Sequence, residues 1–132
     1  MTDTTHPPPD FTGLWTVQRC GDRLELGYVN GIEEGVYRYV KPNGVCIREG
    51  SKRGGRWHGR HIIRAEDGTV LSDSEFIDGT GVYRIFNSSK QLTDEVPLHD
   101  GKPHGITKRW VRGILVELRH YENGKCVAVT TP

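Results

Sequence analysis

Glycine recurs through this chain in a fixed phase, and that constrains the fold more than any other feature. Gly13 precedes LWTV, Gly35 precedes VYRYV, Gly59 precedes RHIIR, Gly81 precedes VYRIF and Gly105 precedes ITKRW, at separations of 22, 24, 22 and 24 residues. A second glycine follows eight or nine residues later at Gly21, Gly44, Gly68 and Gly113, while the fourth unit carries Asn87-Ser88-Ser89-Lys90 there instead. A third closes each unit in YVNG, KRGG, FIDG, LHDG and YENG. A unit of about 23 residues holds two strands and two tight turns, and it buries its apolar positions by stacking on its neighbours.

Composition agrees with strands and turns. Ala occurs twice (Ala65, Ala128) while Val and Ile supply 20 residues, which excludes an all-α fold. The expected architecture is all-β: a single extended antiparallel sheet of about five consecutive β-hairpin repeats. The boundaries expected are a Pro-rich, disordered tail over 1–10, the repeat domain over 11–126 and a C-terminal tail over 127–132.

Hairpin geometry refines this reading. The middle turns are Asn43-Gly44, Asp67-Gly68 and Arg112-Gly113; the first two carry the dipeptides favoured in two-residue type I′ turns, with positive φ at both positions. Pairing outward from them sets Arg38 opposite Glu49, Arg60 opposite Glu75 and Lys108 opposite Glu117. Each such pair contributes roughly 0.2–1 kcal/mol. Alternation along the first strand of each unit puts Trp15, Val17, Tyr37, Tyr39, His61, Ile63, Tyr83 and Ile85 on one face. An aromatic precedes the closing glycine by three places at Tyr28, Phe76 and Tyr121.

The segments GVYRYVKPNG, DGKPHGITKRWVRG and YENGK resemble MORN repeats, in the variant form of bacterial antitoxin-like and immunity proteins. The resemblance spans residues 11–126 and is strongest over 98–125. KRGGRWHGRH departs from the motif in the third unit, and FIDGTG shortens the gap by two in the fourth. The resemblance implies a scaffold that holds a partner: a small bacterial member binds a cognate toxin and blocks its active site.

Chemistry-bearing motifs narrow the function further. The chain carries no G-x-S-x-G, H-E-x-x-H, P-loop or G-x-G-x-x-G pattern, so an enzyme is not expected, nor a cofactor or a metal. Cys20, Cys46 and Cys126 are an odd number without C-x-x-C pairing, which favours a reducing, cytoplasmic setting over a disulfide scaffold. MTDTTHPPPD lacks the basic and apolar regions of a secretory signal, and no apolar run is long enough for a membrane-spanning helix.

With 18 Lys and Arg against 17 Asp and Glu, the net charge of +1 gives no whole-molecule argument for nucleic acid or membrane. One segment departs from that balance. Residues 48–64, REGSKRGGRWHGRHIIR, hold Arg48, Lys52, Arg53, Arg56, Arg60 and Arg64 against Glu49, with Trp57 among them. Three uses fit this composition: cross-strand pairing within the sheet, a protein contact, or docking on nucleic acid or anionic lipid. The expected partner-binding residues are Tyr37, Tyr39, Lys52, Arg53, Arg56, Trp57, His58, Tyr83 and Trp110. The expected function is a non-enzymatic immunity protein or antitoxin covering a toxin's active site, the alternative a basic adaptor acting through residues 48–64.

Overall fold

A computed structural model describes residues 6–132. Among them every regular element is a strand, and all pairings are antiparallel. The chain divides into two compact units at Glu75 and Phe76. The first sheet contains β1 (Gly13–Arg19), β2 (Asp22–Val29), β3 (Ile32–Val40), β4 (Cys46–Arg53), β5 (Arg56–Trp57), β6 (Gly59–Arg64) and β7 (Val70–Phe76). Its order is β1-β2-β3-β4-β6-β7, with β5 beside β4. The second contains β8 (Gly81–Phe86), β9 (Leu92–His99), β10 (Lys102–Pro103), β11 (Gly105–Val111), β12 (Ile114–Glu122) and β13 (Lys125–Thr130). Its order is β10-β9-β11-β12-β13, with β8 on β9.

The hairpin-rich all-β fold is therefore as the sequence implies, but the ladder forms two sheets rather than one continuous sheet. The break falls where FIDGTG shortens the motif. Ile77 and Thr80 exchange both backbone hydrogen bonds at 2.9 Å and form an isolated bridge, and the ladder stops there.

Two turn geometries recur along the chain. The closing turns Asn30-Gly31, Gly54-Gly55, Asp78-Gly79, Asp100-Gly101 and Asn123-Gly124 have φ of +46° to +88° at both residues, the type I′ signature. Cys20-Gly21 and Arg112-Gly113 share it. Asn43-Gly44 and Asp67-Gly68 do not: Gly44 and Gly68 lie at +89° and +91°, but Asn43 and Asp67 have negative φ. There the chain makes a longer loop, with Gly44 N–H to Lys41 C=O and Gly68 N–H to Ala65 C=O at 2.9 Å. The Asn43 and Asp67 side chains accept the N–H of Val45 and Thr69 at 2.9 Å, so these side chains brace a type I turn that ends in a left-handed residue.

Four closing turns are also tied to the chain about one repeat earlier. Gly31 N–H donates to Phe11 C=O (2.8 Å), Gly55 to Glu33 (2.9 Å), Gly101 to Gly79 (3.0 Å) and Gly124 to Pro103 (2.8 Å). These bonds satisfy backbone donors that a free hairpin would leave to water. The first anchors the segment before β1, where Pro8 C=O accepts from Phe11 N–H and the Pro9 backbone lies against Gly31. Residues 1–5 of the expected tail lie outside the described residues. At the other end β13 runs to Thr130, through most of the segment expected as a tail.

Of the three expected charge pairs, Arg38–Glu49 keeps its register and Lys108–Glu117 does not. Arg38 is opposite Glu49, because a bulge next to Tyr39 and Val40 offsets the longer loop. Lys108 faces Leu118 instead, since a bulge after Arg109 moves Glu117 opposite Arg109. Arg60 takes Asp73, not Glu75, through two bonds of 3.0 and 2.7 Å.

Core formation is concentrated in the first sheet. Val17, Leu26, Tyr28, Val40, Ile62 and Ile63 are buried there, as is His61, and Phe76 at the end of β7 is 1 % exposed.

Candidate binding face on the first sheet

Cross-strand register lines side chains of one face into rows. Trp15, Leu26, Tyr37 and Gly50 are successive partners across β1 to β4, and Val17, Leu24, Tyr39, Arg48 and Ile63 form the next row. Tyr28 and Glu33 follow. On this face lies a concavity of about 270 Å³ lined by Val17, Leu24, Leu26, Tyr28, Tyr37 and Tyr39, with His6 and Arg19 also at it. Asp22 and Glu33 stand at opposite ends of β2's neighbourhood and also line it.

The lining tyrosines are held by polar partners. Tyr39 Oη donates to Asp22 at 2.6 Å, and Lys41 Nζ lies 3.2 Å from the same carboxylate. The Tyr39 bond, with Lys41 adding, holds the Asp22 carboxyl below its usual range, and the same bond raises the Tyr39 hydroxyl. Burial, then the Glu33 charge, raises Tyr28. Both shifts keep Tyr28 and Tyr39 neutral at physiological pH, and Tyr39 is the donor in its bond to Asp22.

Beside the concavity an aromatic stack closes over Gly50. Trp57 meets Tyr37 edge-on at 4.7 Å between ring centroids and stacks on His61 at 4.5 Å and 29°. Lys52 Nζ sits 4.2 Å from the Trp57 ring centroid and 3.2 Å from Glu33. A Cβ on Gly50 would lie 3.1 Å from Trp57, so glycine provides the space into which the indole folds. His61 is 2 % exposed; burial first, then Arg48 and Lys52, push its imidazole down to about 4. Arg48 Nη1 lies 3.1 Å from His61 Nε2, so the guanidinium donates to the lone pair of a neutral ring.

The structure thus brings together Tyr37, Tyr39, Lys52 and Trp57 of the residues expected at a binding site. His58 follows β5, where its N–H and C=O engage Ser51. Arg53 and Arg56 are exposed cross-strand partners flanking Gly54-Gly55. Tyr83 and Trp110 belong to the second sheet, opposite Val96 and Leu115. The basic segment is extensively paired: Arg64 meets Glu49 at 2.7 Å, Arg60 meets Asp73, Lys52 meets Glu33 and Arg48 meets His61.

Sequence reasoning missed Asp22, Leu24, Leu26, Gly50 and the structural role of His61. Alternation on the second strand of the hairpin would have placed Leu24 and Leu26 beside Tyr39 and Tyr37. Nothing in the local pattern marks Gly50, whose role depends on a ring seven residues away.

Other chemistry is sparse. Cys46 donates to Arg48 C=O, and burial raises its thiol, which keeps it protonated. Among the described residues no group of three or more His, Cys, Asp or Glu is placed to hold a metal ion, and no helix is long and apolar enough to cross a membrane. No protein-family model matches the chain, and no curated protein matches it.

Proposed function

We propose that this chain is a non-enzymatic protein-binding module, an immunity or antitoxin-type protein that neutralises a bacterial toxin by covering its active site. The observation that carries the reading is the tyrosine-lined concavity of the first sheet. Tyrosine gives large contact area with few rotatable bonds, and here the Asp22 and Trp57 contacts fix Tyr39 and Tyr37 before any partner arrives. The apolar lining and phenolic hydroxyls suit an inserted side chain of a partner. The rest of the face supplies surface toward the roughly 1,600 Å² of a standard interface. The MORN resemblance supports the same class of role.

Internal pairing in residues 48–64 weighs against the basic adaptor. Arg48, Lys52, Arg60 and Arg64 already have partners in the first unit. Stacking a base on Trp57 would require displacing rings and a cation already against it.

Co-expression tests the proposal. A toxin encoded beside this chain arrests growth when expressed alone, and this chain restores growth. Tyr39→Ser abolishes rescue while leaving the circular dichroism of the protein unchanged, whereas Arg38→Ala, off that face, retains it. Harmless expression of the neighbouring gene, or undiminished rescue by Tyr39→Ser, contradicts the proposal.

A further inference from the structure

We infer that β13 is a self-association edge, at which two copies of this chain pair antiparallel about a two-fold axis. All six residues of β13 are exposed, and no other described strand is exposed at every position. It is paired only to β12 among the described strands, so its outward N–H and C=O groups face solvent. Val127 and Val129 are 55 % and 56 % exposed.

Proteins normally blunt such edges with charge, proline or a bulge. β8, an outer strand of the same sheet, has Arg84 at its centre. In β13 the run Cys126-Val127-Ala128-Val129-Thr130 is uncharged and rich in β-branched residues. Lys125 at its first position and a bulge near Cys126 and Val127 are its protective devices, and the ladder from Ala128 to Thr130 is regular and uncharged.

The occupant that fits is a second copy. A two-fold axis presents the same edge to itself and makes a closed interface. With the axis at Ala128, Val127 faces the partner's Val129 twice and Cys126 faces the partner's Thr130. Lys125 then lies opposite the partner's Thr131, so no like charges meet across the pair. One strand pair buries less than the approximately 1,200–2,000 Å² of a stable interface, so the association is reversible and concentration-dependent. This edge is independent of the tyrosine face, and its test does not depend on the toxin.

Sedimentation velocity of the full chain under a thiol reductant, from about 5 to about 500 µM, reads the equilibrium. The expected result is a shift from monomer to dimer across that range, with slowed hydrogen exchange in β13 at the high end. Val129→Lys places like charges at the paired edges and keeps the protein monomeric throughout, while Ile85→Lys on exposed β8 leaves the dimer unchanged. Three results overturn the inference: a wild-type monomer at every concentration, a dimer lost on reduction, or a Val129→Lys variant that dimerises as wild type does.

Discussion

His61 sits in the first sheet where few water molecules reach it, between the Trp57 ring and the Arg48 guanidinium. Its imidazole titrates near 4 in the fold against about 6.5 in the unfolded chain. Between those values the unfolded chain binds the extra proton, so stability is fully present above pH 6.5 and falls as pH drops toward 4. Allowing for partial screening, the expected loss is about 2–3 kcal/mol. Urea denaturation of wild type and His61→Phe between pH 4 and 7.5 checks it. The difference between the two proteins is expected to shift toward the variant as pH falls through that window. A constant difference would place the imidazole in contact with water. Nearby, Gly50 shows the limit of reading single residues, since its side-chain-free space matters only because Trp57 fills it.

The hairpin turns are the elements on which sequence and structure can be compared most closely. The five closing turns were legible as tight turns from their glycines alone, and the type I′ geometry expected at the middle turns is found in them. The middle turns at 43–44 and 67–68 misled for a physical reason: Asn-Gly and Asp-Gly also suit a type I turn ending in a left-handed glycine. The flanking loop residues, which decide between them, carry a weaker signal. The 87–90 segment, which broke the glycine pattern, adopts this same turn. Lys90 takes the left-handed position at φ +64°, with Lys90 N–H to Asn87 C=O at 3.1 Å and Asn87 Oδ1 accepting from Ser89 at 2.9 Å. A non-glycine residue there costs about 1–2 kcal/mol. Lys90→Gly is therefore expected to raise stability by about 1 kcal/mol, and Gly68→Ala to lower it by a similar amount, because Gly68 lies at φ +91° and open space around its missing Cβ adds no clash to that backbone cost. Thermal or urea unfolding reads both, and equal signs for the two substitutions would refute the shared geometry. A bulge explains why Lys108 moved off Glu117: one extra residue in a strand changes every partner beyond it, and nothing in the residue pattern announces it.

At the scale of the whole molecule, the repeat gave the strand content and the order of pairing within each sheet, but not the stop after β7. That stop depends on the short Ile77–Thr80 bridge, where a two-residue change in spacing left too little chain for a ladder. Of the nine expected contact residues, Tyr37, Tyr39, Lys52 and Trp57 fall together because alternation places them on one face. Arg53, Arg56 and His58 owe their selection to composition, which does not report ion pairing or turn position. The account as a whole rests on the tyrosine face of the first sheet engaging a protein. Affinity capture from native cells at about 150 mM salt, with the wild-type chain beside Tyr39→Ser and Arg38→Ala, tests that claim most directly. The account predicts one stoichiometric protein partner bound by wild type and Arg38→Ala and lost with Tyr39→Ser. Recovery of only nucleic acid or lipid, released by added salt, or a partner held equally by all three chains, would contradict it.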